Sequence, residues 1–325
     1  LYGGEDATGT TKADTDRGAP AGLTQLNAEA QDGYRMGSFT VRPEVAVSGV
    51  YDSNIFATPT EEVEDSILLF APTLAADSGW ARHKLEFDLG GAFARYSSND
   101  DEDYDDYWAS AEGRYDLSDN TNLFGGLGYS HQHEDRGSPE DEQAGDEPTV
   151  YDSSRAHAGI SQDWGKLGVR LGGTYEDLQF DNAGTLNNSD RDRALTGAGG
   201  RVSWQLHPQY TVYGQGVLDQ RDYDKSPDDN GYQRDSDGYR AVAGVLATFT
   251  NRLKGEAYLG YLSQAYDDAR FDDVSEPDYG GSGGFFESIG IPAPLAMAAL
   301  VGATELIGGL MFVSGAATRF AAAAL

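Results

Sequence analysis

The stretch HKLEFDLGGAFARY, residues 83 to 96, decides the fold. In an extended chain Leu85, Phe87, Leu89 and Phe93 fall on one face and Lys84, Glu86, Asp88, Gly90 and Ala92 on the other. Soluble strands usually run about five to six residues. This one has the roughly 9–11 residues that a tilted strand needs to cross a bilayer. FTVRPEVAV (39–47) repeats the pattern, with Phe39, Val41, Val45 and Val47 outward and Arg42 and Glu44 inward. In KLGVRLGGTYE (166–176), Leu167, Val169 and Leu171 point out while Arg170 and Glu176 point in. Glu112, Arg114, Arg201, Lys254 and Glu256 take the polar parity near the short-turn ends of their strands. On a lipid face each Arg or Lys near the midplane would cost about 2–4 kcal/mol, so the charged parity is assigned to an enclosed interior.

An antiparallel sandwich also alternates, so the connections carry the decision. Tight ones are DSGW (77–80), LSDNT (117–121), DWGK (163–166), HPQ (207–209) and TNR (250–252). Between them fall long, acidic ones: 52–64, 97–106, 134–150, 181–191, 225–235 and 267–275. Short turns at one rim and long loops at the other are what an outer-membrane barrel requires. The reading is an all-β protein, an antiparallel transmembrane β-barrel of about 11–12 visible strands over residues 36–283, truncated at its last strand. Aromatic-acid pairs recur where strands enter long loops (Tyr51-Asp52, Phe180-Asp181, Tyr223-Asp224, Tyr266-Asp267), which predicts an outer aromatic girdle.

The chain has 325 residues, no cysteine, 42 glycines, 19 tyrosines and a formal charge of −31. With 39% hydrophobic residues it is too apolar for a disordered acidic protein. The charge would repel nucleic acid, and the absence of cysteine excludes disulfides and thiolate metal sites. The acidic loops must lie in water, while the outward apolar parity of a transmembrane barrel implies lipid, with lipopolysaccharide in the outer leaflet, as partners. No metal site and no cofactor are expected: no loop has the spacing of an EF-hand. His131 and His133, two residues apart beside Ser130, with Ser161 also in reach, are the one motif that suggests metal chelation or hydrolysis. The pair alone lacks enough ligands for zinc, and no complete catalytic set is recognisable, so an enzyme is not expected.

Residues 1–35 are polar, without apolar period, and read as a linker; with no initiating Met, a cleaved export leader is expected. After Gly284 the only charges are Glu287, Glu305 and Arg319. Residues 284–325 read as a hydrophobic segment with one apolar α-helix. Such a helix is an inner-membrane signal, whereas barrel strands cross the periplasm because they are only half apolar. The segment is therefore read as foreign to the barrel, with a native helical plug as the alternative.

YDSNIFATPT (51–60), the Trp80-Ala-Arg82-His83 run and RYDLSDNT (114–121) resemble the β-barrel porin family of proteobacterial outer membranes, over about Met36 to Gly281. That resemblance implies a passive channel, or an accessory to exopolysaccharide export, in the bacterial outer membrane. Polysaccharide and small hydrophilic solutes are then the candidate cargo. A structural or adhesive barrel with a filled lumen is the alternative. The tail from about 285 is similar to part of the DoxX family of inner-membrane proteins, whose glutamate-containing helix Glu305, Gly308 and Gly309 match. No redox role follows from one helix of a bundle.

Overall fold

The structure, a computed structural model, describes residues 33–138, 147–248 and 254–281. Its strands are β1 (Tyr34–Met36), β2 (Phe39–Asp52), β3 (Asp65–Ser78), β4 (Lys84–Tyr96), β5 (Tyr104–Ser118), β6 (Thr121–His133) and β7 (Val150–Trp164), then β8 (Leu167–Phe180), β9 (Arg193–His207), β10 (Tyr210–Tyr223), β11 (Ser236–Thr248), β12 (Lys254–Tyr266) and β13 (Val274–Gly281). They form one 13-stranded sheet in chain order, each strand antiparallel to the next. The additional strand is β1, three residues paired to the start of β2, of which Tyr34 and Arg35 fall within what composition alone assigns to a linker. β13 has only 8 residues. Among the described residues no strand pairing joins β13 to β1 or β2.

Connections in an antiparallel meander alternate between rims. The turns after β1, β3, β5, β7 and β9 therefore share one rim, and the six long connections, after β2, β4, β6, β8, β10 and β12, share the other. The expected TNR turn, residues 139–146 of the third long loop, residues 1–32 of the linker and the whole segment 282–325, including the expected helix and Glu305, lie outside the described residues.

The two faces differ in exposure, and that difference shows the curl. A flat single layer would expose both faces alike. Here every buried side chain within the strands, including Leu69, Ala92, Ala94, Ser153, Leu178, Tyr213, Val217 and Val242, has the parity of Lys84 and Glu86. The large exposed hydrophobics of the strands take the other parity, Leu246 excepted. Leu69, Ala92 and Ala94 form a small apolar cluster against Ile67, Tyr96 and Tyr104 on the enclosed side.

The outer face carries an apolar band between two aromatic belts. Trp80, Tyr115, Trp164, Trp204 and Tyr210 mark the short-turn rim; Tyr51, Tyr107, Tyr129, Tyr175, Tyr239, Tyr261 and Tyr279 mark the loop rim. On β5 the belts are Tyr115 and Tyr107, eight residues or about 26 Å apart along the strand. At a tilt of about 40° that is roughly 20 Å of height, close to the apolar band of an outer-membrane barrel. The girdle expectation is corrected in its residues. Tyr51 belongs to the outer belt, but Phe180, Tyr223 and Tyr266 lie opposite Tyr151, Arg193 and Ser236 on the enclosed face.

Candidate functional site: the enclosed face

Directly opposed residues of a sheet share a face, so the register places each charged candidate. Arg42 opposes Ala75, Ala75 opposes Asp88, and the series continues through Ser110, Gly128, Arg155 and Glu176. Glu86 opposes Asp77 and Glu112; Lys84 opposes Arg114; Glu44 opposes Thr73. Arg170 opposes Arg201, Glu256 opposes Leu246, and Lys254 opposes Thr248. Arg42, Glu44, Lys84, Glu86, Asp88, Glu112, Arg114, Arg170, Arg201, Lys254 and Glu256 thus line one and the same face.

Opposed like charges on this face are relieved by neighbours. Glu86 pairs with Lys84 at 2.6 Å and Glu112 with His157 Nε2 at 3.1 Å, which separates two carboxylates that the register sets side by side. Arg42 pairs with Asp77, and Arg114 with Asp116 at 3.0 Å. Arg170 and Arg201 turn onto different rings, Phe124 at 4.0 Å and Tyr213 at 3.9 Å, and Arg201 also donates to Gln215 at 2.8 Å and Glu256 at 3.3 Å.

A recurrent packing device keeps this face thin. Trp108, Phe124, Tyr213 and Tyr258 each oppose a glycine: Gly90, Gly159, Gly244 and Gly280. A Cβ at Gly90 would sit 2.2 Å from Trp108, at Gly159 2.2 Å from Phe124, and at Gly244 2.5 Å from Tyr213. The rings lie flat against bare backbone instead of projecting inward. Trp108 is fixed by its indole N–H to Asp88 at 2.8 Å, and arginines cover Phe124, Tyr213 and, from Arg240 at 5.1 Å, Tyr258. Sequence reasoning missed these pairs. Glycines and aromatics on the charged parity are visible in the chain, but which glycine meets which ring depends on register.

The histidines part company. His131 Nδ1 contacts Asp152 at 2.8 Å, stacked on Tyr107, while His133 Nδ1 contacts Asp106 at 3.0 Å, stacked on Tyr104. Ser130 and Ser161 have the enclosed parity, opposite to that of His131. No group of three or more potential metal ligands occurs among the described residues.

At the loop rim a second device repeats. The backbone N–H of the last aromatic of an outgoing strand donates to an aspartate just before the returning one: Tyr96 to Asp103 (2.7 Å), Phe180 to Asp192 (2.7 Å), Tyr223 to Asp235 (2.7 Å) and Tyr266 to Asp273 (3.1 Å). Two of these aspartates also reach sideways. The carbonyl of Asp192 accepts from Asp224 N–H and that of Asp235 from Asp267 N–H, each at 3.0 Å. Glu134 binds Arg191 and Glu102 binds Arg136, both pairs buried, so the third loop is tied to its neighbours on either side. Burial, reinforced by Asp224, Asp177 and Asp181, pushes the Asp192 carboxyl up. Asp228 is held down chiefly by the Tyr232 amide and Asp268 chiefly by Arg270.

Comparison with known proteins gives a family. The family model described as "Putative beta-barrel porin 2" matches residues 28–282. A model for DoxX matches 268–325, so it begins before β13, earlier than the tail's composition suggests. No curated protein is matched. Among solved structures the chain is similar to the translocator domain of the autotransporter NalP from Neisseria meningitidis, at 15% identity and TM-score 0.33, covering 77% of this chain and 88% of that one. It is also similar to the ferric-catecholate import receptor Fiu from E. coli K12 (12%, TM-score 0.44, 76% and 53%) and to the copper transporter OprC (12%, 0.38, 75% and 53%). The chain spans about half the length of these last two.

Proposed function

Since the chain belongs to the β-barrel porin family whose model covers residues 28–282, we propose that it is a non-enzymatic channel of the bacterial outer membrane, held in lipid and lipopolysaccharide by its outer face. One observation carries this reading. On the enclosed face the side chains of Arg42 and Arg114 toward the short-turn rim, and of Arg155 toward the loop rim, remain 43%, 46% and 50% exposed, so water reaches charges from both ends of a space that a filled interior would close. Rings laid flat on glycines keep that space clear. The cargo is a small hydrophilic solute or a polysaccharide chain in export.

Single-channel recording of the folded chain in planar bilayers tests it. Discrete ohmic steps are expected. Protein that is folded by heat-modifiable gel mobility yet silent in bilayers refutes the channel. That result would leave a structural or adhesive barrel, a reading favoured by the interlocked outer loops.

A further inference from the structure

Beneath the loop rim, on the enclosed face of β9 and β10, two guanidinium groups lack the counter-charge that others on that face possess. Arg193 opposes Tyr223 and Arg221 opposes Leu195, so the two are diagonal neighbours. Elsewhere on the face Arg155 is closed by Glu176 at 2.8 Å, Arg201 by Glu256 at 3.3 Å, Arg42 by Asp77 and Arg240 by Asp278. Among the described residues no carboxylate pairs with Arg193 or Arg221. Arg193 is nevertheless fixed in place, donating to the Arg191 carbonyl at 2.9 Å and lying 5.4 Å from the Phe180 ring and 5.8 Å from that of Tyr223. Arg221 holds its Nε away from solvent with no hydrogen-bond partner.

Asp219, two residues before Arg221 on the same face, makes no ion pair with either arginine, and the other nearby acids are committed elsewhere. Glu176 serves Arg155 and Ser153, Glu134 serves Arg191, and Asp192 and Asp235 serve the amides of Phe180 and Tyr223. Two adjacent, partly desolvated cations without an anion are electrostatically unfavourable, and the planar forks of arginine match a planar or tetrahedral oxyanion. We propose that Arg193 and Arg221 form an oxyanion site just inside the outer mouth, which takes a carboxylate, sulfate or phosphate group of a solute or of a polysaccharide. The site deepens the channel reading, on which its access from the lumen rests, and makes the cargo anionic. The acidic loops above do not forbid it, because exposed charges beyond about 8 Å are largely screened at physiological salt.

Isothermal titration of the full folded chain in detergent tests the site apart from conduction, with inorganic sulfate, trigalacturonate and neutral maltotriose as probes. Sulfate and trigalacturonate should bind with affinities that fall as salt is added, and maltotriose should not bind. Arg193→Gln/Arg221→Gln should weaken anion binding about tenfold or more, and Arg82→Gln, in a turn at the opposite rim, should leave it unchanged. Should the double glutamine variant not fold, Arg193→Lys/Arg221→Lys keeps the charge without the fork and should bind more weakly than the parent. Sulfate binding alone would assign the site to small ions; binding of both probes would admit a polymer. Equal binding by parent and variants, or equal affinity for maltotriose, overturns the site. Binding without conductance would overturn the channel and keep the site, and conductance without binding the reverse.

Discussion

Gly244→Ala should destabilise the barrel although alanine favours ordered backbone over glycine. The new Cβ would lie 2.5 Å from Cζ and Oη of Tyr213, against 3.4–4 Å for ordinary contact, so the ring edge must retreat by about 1 Å. Tyr213 is 5% exposed and carries Arg201 at 3.9 Å, so it retreats only into the lumen and lifts the guanidinium from Gln215 and Glu256. Overpacking costs about 1–3 kcal/mol. Partial loss of the cation–π contact adds about 0.5–2 kcal/mol. The sum is about 1.5–5 kcal/mol. Gly214→Ala is the matched control: it follows Tyr213 on the neighbouring strand, on the outer face, with nothing within 4 Å of a Cβ, and should be neutral or stabilise by about 0.4–1 kcal/mol. Urea unfolding of protein folded into lipid vesicles, followed by tryptophan fluorescence, measures both. Equal stability of the two variants would refute the ring-on-glycine packing.

Leu218→Arg, on the outer face, should reduce folding stability in bilayers by about 2–4 kcal/mol, whereas Thr174→Arg on the enclosed face should be near neutral; the same urea titration reads the difference. Asp235→Ala leaves the Tyr223 amide without its acceptor, an expected loss of about 1–3 kcal/mol locally, seen as faster hydrogen exchange at that amide. Acid should loosen the last two loops. Asp228 and Asp268 titrate below the ordinary 3.8, so their stabilisation is complete above 3.8 and disappears as pH falls through the lowered values. Asp192 titrates above 3.8, so its contribution runs oppositely, present in acid and lost as pH rises through the raised value. Protease sensitivity of the loops across pH 2 to 5 checks the direction, and loops unaffected at low pH would contradict it.

The parity of the charged residues was legible because a wall one residue thick, wet on one side and apolar on the other, imprints a strict period of two. The order of short and long connections was legible for a similar reason, since a meander sorts them by rim. The girdle was misread by attending to the aromatic-acid dipeptide instead of the count along the strand. Phe180 has the same parity as Glu176 and Arg170, which already assigns it inward. The aspartate clamps left half a signal. Asp103, Asp192, Asp235 and Asp273 each stand immediately before a returning strand, but their acceptor role needs the hairpin closed. The unmatched pair Arg193 and Arg221 left no signal, because a missing counter-ion is a property of neighbours from β8 to β11 that are distant in the chain.

The clamps also separate a loop's anchorage from its content. Phe180 and Asp192 close one hairpin while the Asp192 carbonyl holds the next at Asp224, and neither bond involves the side chains between. A foreign peptide grafted between residues 182 and 187 that leaves Asp192 in place would be presented on an anchored stem. Removing Asp192 with the graft would unfasten two hairpins at once, so the boundary of a graft matters more than its length.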